Sequence, residues 1–185
     1  MDNVFSILAG LGLAAACGFR VFVPLLVASV AAHAGYLSPS PEFAWLGSTA
    51  AMLAFSVATV LEVAAYYVPW LDHALDTLAS PAAVVAGTVM MASMAADVDP
   101  FVRWTLAIIA GGGVAATVQT GTVAMRGASF TMSGGLTNPA VSTAELGGAV
   151  LTSTISVLSP WLALFGLAAL GLLLVTALAR RRRNA

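Results

Sequence analysis

Long apolar runs separated by short polar stretches set the plan of this chain. The first run, Val4 to Tyr36, is far longer than the roughly 20 residues that cross a bilayer. It is predicted to be one span, broken or tilted around Gly18 to Pro24, because a proline at membrane depth removes a backbone bond that neighbouring protein must replace. The loop LSPSPEFAW follows, with Glu42 and an interfacial Trp45. A second span is predicted from about Gly47 to Val68, ending in YYVPWL, an aromatic cluster suited to the headgroup level. DHALDTLASP comes next, then a short third span, Pro81 to Ala96, of small residues and methionines that suit close helix packing. After the polar turn DVDPFVR, a fourth span runs from Phe101 to about Met125. The stretch from Arg126 to Glu145 is too long and too rich in glycine for an idle loop. The last run, Leu146 to Ala179, is interrupted at Ser159-Pro160. The expected fold is an all-α polytopic transmembrane bundle of about five spans with interrupted or re-entrant helices.

Composition excludes a soluble domain. Of 185 residues, 60% are hydrophobic and 8% charged, against about 25% charged in soluble proteins, and the mean hydropathy is +0.97. The net charge of -1 gives no footprint for nucleic acid. Cys17 is the single cysteine, and His33 and His73 stand 40 positions apart, so neither an intrachain disulfide nor a zinc or haem site is expected. No cofactor is implied. Four of the seven basic residues form the tail Arg180 to Arg183, which predicts a cytoplasmic C-terminus in a bacterial inner membrane. Residues 1–10 lack the basic region of a secretory signal, so the first run is expected to be membrane structure.

An internal repeat is suggested by Gly10–Ala15 beside Gly111–Ala116, Ser48-Thr49-Ala50 beside Ser142-Thr143-Ala144, and Pro69-Trp70-Leu71 beside Pro160-Trp161-Leu162. It divides the single domain 1–185 into halves 1–96 and 97–179, with a basic tail at 180–185. Three spans in the first half would invert the second, an arrangement typical of transporters.

A guanidinium at bilayer depth costs at least about 2.5–3.5 kcal/mol, and Arg20 lies near the middle of the first apolar run. Glu62, deep in the second, is its expected partner, either as a structural lock or as a contact for an ion or solute. Gly111, Gly112 and Gly113 weaken the fourth span, each by about 1 kcal/mol relative to alanine. Asn138 and Pro139 resemble the Asn-Pro-Ala half-helix of aquaporins, in which the asparagine caps a helix aimed at a pore, although aquaporins need two such motifs. Glu145 reads as the N-terminal charge of the last helix or as part of an ion path. Asp72 and Asp76 share a helix face if their segment is helical, as solvated helix-end acids at an outer mouth or as ligands for a divalent cation.

The segments GLAAACGFRVFVPLL, EVAAYYVPWLDHALDTLASPAA, AIIAGGGVAA and GGLTNPAVSTAE together resemble a family of small bacterial integral membrane proteins catalogued as a domain of unknown function (number four-one-two-six). The likeness covers nearly the whole chain. It implies a compact membrane protein with Arg20, Glu62, Asp72 and Asp76 as family features, and it implies no activity. From the residues themselves, the leading expectation is passage of a small ion or solute at a midplane site around Arg20 and Glu62, with the bilayer and a second copy of the chain as partners. The alternatives are a scaffold without a site, or a magnesium-dependent enzyme acting on a lipid-linked phosphate.

Overall fold

The computed structural model describes residues 2–134 and 136–166, together with 168, 169, 171 and 176; the side chains of residues 2 and 69–76 lie outside the description. The Arg180–Arg183 tail therefore falls beyond it, as do the side chains of Asp72 and Asp76. The described residues form a bundle of helices. Three are long and apolar enough to cross a membrane: Thr77–Met94, Pro100–Ser133 and Asn138–Leu158. A fourth results if a 3-10 helix, Pro41–Gly47, and the helix after it are counted together across their 62° bend.

The first apolar run does not make one traverse. It forms two helices, α1 (Asp2–Cys17) and α2 (Phe22–His33), and the chain folds back between them. Asn3 and Ser6 on α1 line one small cavity with Ser38, Met94 and Asp97, and the Ser40 amide donates to the Ser93 carbonyl at 2.8 Å. The start of α1 and the exit from α2 thus share one end of the bundle. Hydropathy reports the length of an apolar run but not its direction, which is why one span was expected. The turn is built from Gly18 to Val21. Gly18 and Phe19 donate to Ala15 and Ala16 at 3.0 Å, tightening the end of α1 with i→i−3 bonds. A Cβ on Gly18 would lie 2.6 Å from the Ala115 carbonyl oxygen, so only glycine permits this approach. Pro24 falls in the first turn of α2, where its missing N–H breaks no helical bond.

α3 (Thr49–Ala65) runs antiparallel to α2, with Ser48 as its N-cap accepting from the Ala51 amide at 3.1 Å. His33 at the end of α2 bonds the Gly47 carbonyl at 2.9 Å. Pro69-Trp70-Leu71 opens α4 (Pro69–Met94), so the Asp72–Asp76 segment is helical and belongs to the helix read as the third span. Asp99 caps α5 (Pro100–Leu106), accepting from the Phe101 amide at 2.9 Å. The helix continues through a π-helical stretch, Ala107–Gly112, into α6 (Gly113–Ser133). The three glycines therefore do not break the fourth helix. Gly111 and Gly112 pack against α4 instead, a Cβ on Gly111 falling 2.6 Å from the Gly87 carbonyl, the close approach that small residues permit.

The polar stretch 126–145 forms a helical hairpin. α6 carries on to Ser133, the chain turns at Gly134 (φ +63°), and α7 (Asn138–Leu158) begins at once. Gly134 supplies the left-handed C-terminal residue, its amide donating to Phe130 at 2.8 Å. Helix resumes at Pro160 after a break at Ser159, as the sequence predicts.

α1 lies at the centre of the bundle, with Leu13, Ala14, Ala15, Ala16 and Cys17 wholly buried among α4, α6 and α7. Outward faces are apolar: Val60 is 67% exposed and Ile109 71%. Arg20, Arg126 and Glu145 are instead buried, with no more than 5% exposure. A soluble protein does the reverse, so the outer surface of this bundle is matched to lipid.

Candidate functional site

The buried charges meet at the α1–α2 turn. Arg126 on α6 donates from Nε to Glu145 Oε1 on α7 at 3.0 Å, and its Nη2 bonds Glu145 Oε2, a bidentate pair. Arg20 approaches the same carboxylate more loosely, Nη2 to Oε2 at 3.5 Å, and donates to the Ser142 carbonyl at 3.1 Å. Both guanidiniums lie over the Tyr66 ring, their central carbons 3.7 and 4.1 Å from its centroid, a favourable contact for a desolvated cation. Arg20 sits between α1 and α2, Tyr66 just past the end of α3, and the remaining members on α6 and α7. The cluster thus joins five helices.

Glu62 does not pair directly with Arg20. Its two oxygens accept the Val21 and Phe22 amides at 2.8 and 3.1 Å. These are among the donors that the start of α2 leaves without helical partners, and a carboxylate is favoured at a helix N-terminus. Glu62 thus fixes the chain on one side of Arg20 while Glu145 compensates its charge. Glu62 and Tyr66 also floor an apolar groove of about 420 Å³ between the start of α2, α3 and α4, with Phe22, Leu61, Leu78 and Ala82 in its walls.

The other expected site residues are distributed differently. Asn138 is the first residue of α7 rather than its cap, and its Oδ1 accepts from Ser129 at 2.8 Å. Ser129, Ser133 and Thr137 form a hydroxyl chain beside it, with contacts of 2.6 and 2.9 Å. Glu145 lies on the second turn of α7, inside the cluster and 3% exposed. Gly111 and Gly112 face α4, while nothing lies within 4 Å of a Cβ on Gly113. None of the three glycines reaches the cluster. Among the described residues, no group of three or more His, Cys, Asp or Glu could hold a metal ion.

The sequence did not single out Arg126, Tyr66 or Ser142 as site residues. A signal was present for the first: Arg126 and Glu145, opposite in sign, bound the polar stretch that turns out to be a helical hairpin. A second ion pair lies far from the cluster, where Arg103 donates from Nη1 and Nη2 to the two oxygens of Glu42, both at 3.1 Å.

An all-helical bundle with lipid-matched faces and its charges turned inward defines an integral membrane protein. The chain belongs to the family described as domain of unknown function DUF4126, whose sequence model matches residues 7–181. No curated protein and no solved structure matches it.

Proposed function

We propose that this protein is a membrane transport protein, channel-like or carrier, that passes a small ion or solute at the Arg20–Glu145–Arg126 cluster. The observation that carries this is the position of the cluster at the turn of a helical hairpin that enters the bundle and folds back. Ionisable groups inside an apolar bundle are costly and mark pathways and relays, and interrupted helices frame the sites of transporters.

Arg103 and Arg126 are 23 residues apart on one continuous helical run. That separation is a rise of about 34 Å, close to the ~30 Å of bilayer hydrocarbon. With Glu42–Arg103, Trp45 and Trp104 at one boundary, the cluster approaches the other, displaced from the expected midplane. Between them, the buried side chains of Leu13, Met90 and Met94 form an apolar plug. The site then lies nearer one face than the other, and because Arg20, Arg126 and Glu145 are buried, passage requires the α1–α2 hairpin to shift. Both glycine-rich runs pack on α4, Gly10 near Met90 and Met94 and Gly111 near Gly87 and Met91, which supports two related halves of one domain around that helix. The basic tail 180–183 would face the cytoplasm of a bacterial inner membrane, and a second copy would complete the assembly.

Flux from liposomes holding the purified protein tests this, with small cations, anions, protons and uncharged solutes screened in turn. Wild type is expected to pass at least one species, and folded Arg20→Ala to change its rate. If nothing moves, transport is wrong. The bidentate Arg126–Glu145 pair favours a second reading, a scaffold in which the cluster only locks helices together; the same variant then alters stability alone.

A further inference from the structure

We infer that Arg20 and Ser142 form a binding site for a small monovalent anion, of the size of nitrate or a short carboxylate. The inference rests on the cluster being a ligand site and adds the sign and class of the ligand. The hydrogen-bonding capacity left unspent in the cluster decides the sign. Both oxygens of Glu62 hold amides of α2, and both oxygens of Glu145 hold Arg126, with Arg20 beside them. Every carboxylate oxygen there already has a donor, so the acceptors of the cluster are engaged while part of its donors are not.

Donors are what remain. Arg20 is 2% exposed, yet its Nε and Nη1 have no partner among the described residues, and neither has the hydroxyl of Ser142, which is 1% exposed. These atoms carry three guanidinium N–H bonds and one hydroxyl, and the two residues already touch through Arg20 Nη2 and the Ser142 carbonyl at 3.1 Å. Unpaired buried donors are costly, and a bound anion would satisfy them. The Tyr66 ring covers one face of the Arg20 guanidinium, leaving its edge as the binding surface, and a planar fork of donors fits a planar oxyanion. The neighbouring carboxylates Glu62 and Glu145 disfavour a second negative charge, which points to a monovalent ligand.

The test is calorimetric titration of the full chain in detergent with sodium nitrate and with sodium acetate, using sodium gluconate as a bulky control at matched ionic strength. Saturable binding of nitrate or acetate is expected. Ser142→Ala, which removes one neutral donor and keeps every charge, should weaken it about 5–10-fold. Arg20→Lys, which keeps the charge but loses the planar fork, should weaken it at least as much. Absence of saturable binding in wild type overturns the site, as does an unchanged affinity in either folded variant. Should Arg20→Lys not fold, Ser142→Ala decides alone. Binding is read without flux: a protein that binds nitrate but moves nothing keeps the site and loses transport, and one that moves ions without binding either anion loses the site and keeps transport.

Discussion

Two arginine–carboxylate pairs occupy opposite parts of the helical run Pro100–Ser133, and they share a bonding pattern in different surroundings. Arg103 meets Glu42 through two bonds of 3.1 Å, and the Glu42 side chain is 59% exposed. Arg126 also meets Glu145 through two bonds, side-on from Nε and Nη2, but the Glu145 side chain is 3% exposed and a second arginine shares it. Water screens the first pair; the second has only protein around it. Geometry alone therefore says little about what a pair contributes, and burial decides. The largest expected effect follows at once. Glu145→Ala leaves two guanidiniums buried without their shared counter-charge, and should destabilise the protein by about 3–5 kcal/mol. Urea or SDS unfolding in detergent would show it. Replacing both partners, as Arg126→Leu with Glu145→Leu, should cost less than Glu145→Ala alone, because fewer charges are stranded. If the double variant is the worse of the two, desolvation is not what distinguishes the pairs.

The second effect sharpens the contrast by disturbing the backbone that places Arg20. A Cβ at Gly18 would meet the Ala115 carbonyl at 2.6 Å and Val118 Cβ at 2.6 Å, and a helix backbone cannot yield that much locally. Gly18→Ala should cost about 1–3 kcal/mol through overpacking and weaken nitrate binding with it. Gly113→Ala is the matching control: the site is helical with nothing within 4 Å, so it should stabilise by about 0.5–1 kcal/mol. Equal responses from the two would mean that α1 does not seat against α6 as described. Glu62→Gln should fall lower, at about 1 kcal/mol, since the amide keeps one acceptor for the α2 amides but loses the charge at that helix end. Unfolding midpoints of the three variants, measured together, order them.

Much of this contrast is written in the sequence, and its limits are physical. Arg20, Glu62 and Glu145 stand out because charge inside or beside an apolar run is costly, and the breaks near Gly18 and Ser159 follow from glycine and proline. The partner of Arg20 was expected to be Glu62, because both lie deep in their runs. Which carboxylate it meets depends on how α1 packs against α7, and hydropathy holds no information about that. Arg126 was hidden for a related reason: its neighbours Gly127, Ser129, Thr131 and Ser133 make a polar stretch with no apolar helical period. Hydrogen bonds across the turn, Ser129 to Asn138 and Ser133 to Thr137, let those residues continue a helix that propensity alone would end. Tyr66 looked like an interfacial aromatic, and only the folded chain brings its ring under two guanidiniums.

The smallest expected effect belongs to the exposed pair, and it is the sharpest check on the comparison. Arg103 itself is 7% exposed, so only its partner faces water, and the pair is a mixed case rather than a plain surface bridge. With Glu42 removed, the guanidinium still lies near the polar boundary by the helix-length argument above, where solvent and lipid headgroups can take over the lost bonds. Glu42→Ala should therefore leave the unfolding midpoint almost unchanged, and raising the salt concentration should narrow what difference there is. A loss rivalling that of Glu145→Ala would show that Arg103 behaves as a buried charge. The boundary would then have to move away from Arg103, and with the hydrocarbon thickness fixed the cluster at the α1–α2 turn would lie farther out toward the opposite headgroups than its distance along the helix now implies.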